Sequence, residues 1–201
     1  MPGRLSCRRE VEEVRLPTAC AVGIAVAMLA LQAAGVSAEG TIPQEVLQQA
    51  LAGTAIPLWL QAETPIEVLP DSNDGIVAFY YPYTRTIYLR ASPYLQRGGK
   101  WDVTRVAEVL SHEFGHRFQH LAAPFGSPAW QRFEALTPTF SNGPRGVRSY
   151  QVWQMNREEA FAEAYRHLYG GIGAKSPPFV PLTITPAIRA YFQELDRSVG
   201  R

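Results

Sequence analysis

Hydrophobic and polar residues follow two different periodicities along this chain, with a change near residue 100. Residues 66–69, 76–81 and 86–90 are rich in β-branched and aromatic residues, which predicts three short strands. The residues between the second and third strands include Pro82, which suits a turn or a sheet edge. The last two strands are therefore predicted to form a hairpin.

After residue 102 the apolar positions recur at helical spacing, as Val106, Val109, Leu110 and Phe114 do. Asp102 is a suitable N-cap for the helix that contains them. The predicted helices cover residues 42–51, 103–121, 128–136, 156–169 and 186–199. Because most of the strands precede most of the helices, the order of elements predicts an α+β fold.

The N-terminal segment differs from the rest of the chain. Arginines between residues 4 and 15 precede an apolar run over residues 19–34, and Val36-Ser37-Ala38 resembles a cleavage site. This pattern predicts a signal peptide over residues 1–38, a single mature domain over 39–201 and a secreted, exported bacterial protein. The alternative is an uncleaved membrane anchor through residues 19–38, a length that spans a bilayer.

The net charge and the positions of the cysteines argue against nucleic-acid binding and thiol chemistry. The formal net charge is +1, and no basic run or basic-aromatic stripe is present, so we expect no nucleic-acid partner. Cys7 and Cys20 both precede residue 39, so the predicted mature chain has neither a disulfide nor thiolate chemistry. Its length suffices for one hydrophobic core, and we expect a monomer.

The helix over residues 103–121 contains an H-E-x-x-H motif at His112, Glu113 and His116. The two histidines lie one turn apart on the same face, about 6 Å along the axis, so both imidazoles can reach one metal ion. Glu113 can take a proton from a metal-bound water. This combination predicts a zinc hydrolase, most often a peptidase.

The helix over residues 156–169 carries acidic residues at Glu159 and Glu163, four positions apart. Such a pair is mildly unfavourable unless cations lie nearby. We therefore predict Glu159 as the third zinc ligand, with a fourth position open to water. Glu163 is predicted to accept a hydrogen bond from a zinc-binding histidine. The alternatives are a solvated helix face and Glu158 as the ligand.

Two other histidines are not predicted to bind the metal. His120 lies about 12 Å from His112 along an unbroken helix, too far to share the ion. It is interpreted as a polar residue near the helix end. His167, on the second helix, is interpreted as a partly exposed structural residue, with a catalytic accessory as the alternative.

With H-E-F-G-H followed by N-R-E-E-A-F-A-E-A-Y, the chain resembles the anthrax lethal factor-like and Pro-Pro endopeptidase-like zinc metallopeptidases. The similarity covers roughly residues 103–169. It implies a zincin-like fold of the Glu-zincin type, with a small N-terminal sheet, an active-site helix and a mostly helical C-terminal part.

The resemblance also implies roles for individual residues. His112, His116 and Glu159 would bind zinc, and Glu113 would be the general base. Tyr150 is the best match to the family's tyrosine that stabilises the oxyanion, although it lies further from Glu159 than in the family. The alternative for Tyr150 is an ordinary surface or core tyrosine.

The expected function is that of a secreted endopeptidase that uses one Zn²⁺ ion to hydrolyse protein or peptide substrates. The substrate is expected to lie extended along an edge strand, for which residues 87–90 are the candidate, with an inner strand as the alternative. Two other functions stay open: a secreted, non-catalytic zinc-binding interaction module, and a zinc hydrolase that acts on a non-peptide amide.

Overall fold

A computed structural model describes residues 41–72, 75–142, 153–175 and 177–200. Within these residues the chain has an α+β fold, with a small sheet and a mostly helical remainder, so the predicted fold class is confirmed at this level. The strands are β1 (Ile66–Leu69), β2 (Ala78–Tyr81) and β3 (Thr86–Arg90), and the helices are α1 (Gln44–Ala52), α2 (Leu58–Ala62), α3 (Val103–Ala122), α4 (Pro128–Leu136), α5 (Arg157–Tyr169) and α6 (Pro186–Val199).

The three strands form a mixed sheet in the order β1-β3-β2. β2 and β3 pair antiparallel with Tyr80 opposite Ile87, which confirms the hairpin, and β1 pairs in parallel with β3. β3 is therefore the inner strand, and the prediction of residues 87–90 as a sheet edge is wrong. Ile87 and Leu89 are fully buried. Local periodicity could not reveal the parallel partner, because that pairing joins segments that are not adjacent in the chain.

Helix α3 begins at a side-chain cap and passes through the core. The Asp102 carboxylate accepts a hydrogen bond from the Arg105 N–H at 2.9 Å, as predicted for this cap. Val106, Leu110 and Phe114 are fully buried. The polar residues of the H-E-x-x-H motif therefore lie on a helix that is surrounded by protein.

Aromatic side chains from four helices form the part of the core that supports α5. The Phe161 ring centroid lies 4.7 Å from that of Phe192 on α6 and 4.9 Å from that of Phe133 on α4. Phe118 on α3 lies 5.0 Å from Tyr165. Aromatic pairs at these separations stabilise a core beyond their buried area. Helix α5, which carries both acidic residues of interest, is thus anchored on its apolar face.

Half of the predicted elements have the bounds that the sequence indicated, and the others differ by one or two residues at one end or both. β1, β3, α4 and α6 agree residue for residue, whereas α2 was missed because it is a single short turn after Pro57. The predicted leader, residues 1–38, lies outside the described residues. None of the helices in the described residues is both long and apolar enough to cross a bilayer.

Candidate metal centre

Helix α3 holds His112, Glu113 and His116 at its buried middle. His112 is 4% exposed and Glu113 is 7% exposed. The two imidazoles meet edge to face with ring centroids 5.0 Å apart, as expected for residues one turn apart on one helix face. Imidazoles that are buried this closely need a partner that compensates their desolvated polar atoms.

A glycine inside the motif lets α5 approach α3 closely. A Cβ atom on Gly115 would lie 2.6 Å from the Cα atom of Ala162 and 2.8 Å from its carbonyl oxygen. Any side chain at this position would therefore push the main chains of the two helices apart. The close approach brings the acidic residues of α5 to the histidines of α3.

The Glu159 carboxylate reaches both imidazoles. Its Oε2 lies 3.0 Å from Nε2 of His112 and 3.4 Å from Nε2 of His116. One ligand atom from each of these three residues lies within 4.8 Å of the others, so they form a possible metal-binding group. Ligand atoms at about 2.1 Å from a tetrahedral ion are about 3.4 Å apart. The donor set therefore fits one ion.

The group is partly accessible on one side. The His112 side chain is 5% exposed, whereas those of His116 and Glu159 are 16% and 15% exposed. A water molecule or another small ligand can therefore approach from the side of His116 and Glu159. A site that keeps one position open to solvent is typical of catalytic metal centres, whereas structural zinc sites are closed by protein ligands.

The charges of the group depend on one another. Burial disfavours the imidazolium form of His112, but the Glu159 and Glu163 carboxylates outweigh it and raise its pKa to about 10. The pKa of His116 is raised as well, because Glu159 outweighs the effect of burial. Burial alone would raise the pKa of Glu159, yet the two imidazoles hold it well below its usual range. The acidic neighbours therefore favour the imidazolium forms of both histidines.

Glu163 lies on the far side of His112 from Glu159. Its side chain is fully buried, and its Oε2 lies 3.4 Å from Nδ1 of His112, a buried nitrogen that has no partner in hydrogen-bond geometry. Burial would raise the pKa of Glu163, but the adjacent His112, His167 and Arg166 side chains lower it well below its usual range. The alternative of a solvated helix face is therefore wrong for this residue.

Glu113 is a buried carboxyl group close to both imidazoles. Burial raises the pKa of its carboxyl above the ordinary value, and His116 and His112 offset part of this effect. The main chain of Tyr80 on β2 lies beside the carboxyl group and favours its charged form. A general base with a raised pKa accepts protons more readily near neutral pH.

The other candidate residues lie outside the metal-binding group or outside the described residues. Tyr150 lies outside the described residues. Glu158 does not belong to the metal-binding group, and its main-chain N–H is capped by the Asn156 side chain at 2.9 Å. His120 is exposed, and its Nδ1 lies 3.2 Å from the Tyr80 hydroxyl. Its interpretation as a polar residue near the helix end agrees with this position.

Residues that the sequence did not single out also surround His112. The rings of Phe179 and Trp153 lie 5.3 Å and 6.2 Å from its imidazole, between centroids. Arg166 makes two hydrogen bonds to Glu163. Of these residues, Arg166 alone had a recognisable signal in the sequence, because it follows Glu163 by three positions on one helix. Phe179 lies in a Pro-rich connector with no periodic pattern.

Comparison with protein-family models, with curated proteins and with solved structures gives no match. The resemblance to the lethal factor-like peptidases therefore rests on the two sequence motifs. A function has to be inferred from the side chains that the fold brings together.

Proposed function

We propose that this protein is a secreted zinc-dependent endopeptidase of the Glu-zincin type, similar to the lethal factor-like and Pro-Pro endopeptidase-like enzymes. The proposal rests chiefly on the group of His112, His116 and Glu159, which lies beside a buried Glu113. Two histidines and one carboxylate are a common ligand set of catalytic zinc. The retained Glu113 favours a catalytic centre over a purely structural one.

The chain supplies the groups that hydrolysis of an amide requires. A bound zinc ion would lower the pKa of its water ligand toward about 7 and polarise a substrate carbonyl. The Glu113 carboxylate accepts a proton from the attacking water and returns it to the leaving nitrogen. If the family's tyrosine corresponds to Tyr150, its hydroxyl donates to the oxyanion.

An extended peptide is the substrate that the sheet accommodates best. In the described residues β2 pairs with β3 alone, so its other edge is available for main-chain hydrogen bonds. The main chain of Tyr80 on this strand lies next to Glu113. A peptide that pairs with β2 therefore passes the general base. β2 replaces residues 87–90 as the proposed substrate strand.

The N-terminal sequence pattern supports a location outside the cell. The apolar run and the small residues before Glu39 support export and cleavage, which would release residues 39–201 as a secreted domain. We propose that this domain acts as a monomer on protein or peptide substrates outside the cell.

The first experiment compares the purified parental protein with Glu113→Gln and with a chelator-treated sample on a diverse peptide library. Loss of a general base lowers turnover by about 10²- to 10⁴-fold. We expect cleavage by the parent alone, while Glu113→Gln still binds one zinc ion. Mass spectrometry of the products reports cleavage and side-chain preference together.

Two results would contradict the proposal. Cleavage by Glu113→Gln at the parental rate would remove Glu113 from the reaction. A parental protein that holds one zinc ion but cleaves no peptide would favour a zinc-binding interaction module or a hydrolase of a non-peptide amide.

A further inference from the structure

His167 lies on α5 one turn after Glu163, and it does more than occupy a helix surface. Its Nε2 lies 3.1 Å from Oε1 of Glu163. The His167 side chain is 23% exposed, whereas that of Glu163 is fully buried. His167 therefore extends from the protein surface to a buried carboxylate that faces the metal-binding group.

Several donors converge on the Glu163 carboxylate. Nη2 of Arg166 lies 2.6 Å from Oε1, and Nε of Arg166 lies 3.1 Å from Oε2. The main-chain N–H of Phe179 donates to Oε1 at 3.1 Å. With Nε2 of His167 3.1 Å away, three nitrogen atoms surround Oε1. Oε2, which accepts from Nε of Arg166, also lies 3.4 Å from Nδ1 of His112.

The connector around Phe179 is held against the same carboxylate. Arg166 donates to the Pro177 carbonyl at 3.2 Å, and the Gln154 side chain donates to the Phe179 carbonyl at 3.3 Å. The Phe179 ring also packs 4.7 Å from the Arg166 guanidinium carbon. Because Arg166 is fully buried, its contacts and those of Phe179 support the fold itself. His167 can be changed with less effect on that framework.

We propose that His167 is a positioning residue of the metal centre, which acts through Glu163 on His112. By donating to Oε1, His167 turns Oε2 of Glu163 toward Nδ1 of His112, so that Nε2 of His112 is directed at the metal position. A carboxylate that accepts a hydrogen bond from the second nitrogen of a ligating histidine sets the orientation and tautomer of that ring. The inference rests on the proposed function for the identity of the metal, but it does not depend on turnover.

Removing the His167 donor has a specific expected effect. Arg166 and Phe179 still hold the Glu163 carboxylate, so the fold persists. The carboxylate then has more freedom to rotate, and water can reach Oε1 from the surface. The Nδ1 contact of His112 weakens as a result. Loss of such an outer partner lowers metal affinity by about tenfold or more.

The test uses two substitutions of similar size in the full protein, His167→Leu without a donor and His167→Gln with one. His120→Leu is the matched control, because His120 lies on the metal-binding helix and contacts Tyr80 instead of Glu163. Zinc affinity is measured by competition with a chromophoric chelator. We expect about tenfold weaker binding for His167→Leu, nearly parental binding for His167→Gln and parental binding for the control.

A second readout separates positioning from a general loss of stability. In the zinc-loaded, ¹⁵N-labelled protein, the Nδ1 proton of His112 should exchange with solvent faster in His167→Leu than in the parent and in His167→Gln. Thermal melting of the metal-free proteins reports whether the substitution affects the fold. A purely structural residue would shift melting while leaving the His112 proton unchanged.

Each outcome bears on the proposal. Parental zinc affinity in His167→Leu overturns it, and so does a parental protein that binds no zinc. A parent that binds zinc but cleaves no peptide overturns the proposed function, while a weaker affinity of His167→Leu still supports positioning. Should His167→Leu fail to fold, His167→Ala is the second donor-free variant. Failure of both to fold assigns a structural role and overturns the proposal.

Discussion

Two regions of helix α5, one turn apart, hold the same type of side chain in different surroundings. Glu159 lies between two imidazoles at a partly exposed position, with no arginine among its hydrogen-bond partners in the described residues. Glu163 is fully buried and is held by Arg166, His167 and the Phe179 N–H. A carboxylate without a fixed protein cation is available to a metal, whereas a neutralised one orients its neighbours. The surroundings therefore favour Glu159 as the proposed metal ligand and Glu163 as the proposed orienting residue.

The largest effects are expected when each carboxylate is replaced by its amide. Glu159→Gln removes the proposed zinc ligand. We therefore expect a larger fall in zinc affinity than the loss of about 10- to 100-fold that follows removal of an outer partner. Glu163→Gln leaves Arg166 with less compensation inside the protein, so we expect it to lower the free energy of unfolding by about 3–5 kcal/mol. Chelator competition and urea unfolding measure the two effects.

Glu158→Gln is the matched control, because this neighbour lies outside the metal-binding group. We expect parental zinc affinity for it. Equal zinc losses in Glu158→Gln and Glu159→Gln would contradict the assignment of Glu159 as the ligand. Equal stability losses in Glu159→Gln and Glu163→Gln would contradict the difference between the two regions.

Gly115→Ala tests whether close helix packing creates both regions. The added Cβ would meet the Ala162 main chain at 2.6 Å, so α3 and α5 must separate. Overpacking of this kind costs about 1–3 kcal/mol, and we expect weaker zinc binding as well. Urea unfolding and chelator competition measure both.

Two further variants are controls for the Gly115→Ala measurement. Ala162→Gly should not rescue Gly115→Ala, because the atoms that collide belong to the main chain of residue 162. Thr104→Ala, at an exposed position of the same helix, should leave both quantities unchanged. Parental stability and zinc affinity in Gly115→Ala would show that the two helices tolerate a wider separation.

The pH dependence of zinc binding is the mildest expected effect. The pKa of His112 is raised to about 10 in the metal-free fold, above the unfolded value of about 6.5. Its ion pairs therefore stabilise the fold fully below about pH 6.5 and are lost as the pH rises through about 10. Zinc must displace these protons, so its affinity should rise with pH across this window.

Glu159→Gln should flatten this pH dependence, since Glu159 is a main cause of the raised pKa of both histidines. Thermal melting of the metal-free protein and zinc titrations at several pH values provide the measurements. An apparent zinc affinity that does not change with pH would contradict the protonated state of the metal-free group.

The sequence by itself predicted the elements that have strong local signals. The bounds of β1, β3, α4 and α6, the cap at Asp102 and the hairpin follow from periodicity, capping and turn residues, which act over a few positions. The predicted ligand set also coincides with the group that the fold assembles, His112, His116 and Glu159. The element, cap and hairpin signals each lie within one segment or two neighbouring ones, whereas the ligand set combines separate patterns on two helices that are 47 positions apart at His112 and Glu159.

The tertiary structure alone determined which strand is the edge and that Phe179 contacts Glu163. The parallel pairing of β1 with β3 joins segments whose contact has no local signature, so it made β3 the inner strand. His167 contacts Glu163 at the i,i+4 spacing of one helix, but Phe179 reaches it from a Pro-rich connector after α5. The Phe179 contact depends on how the connector packs against α5, and the periodicity of a single helix does not encode it.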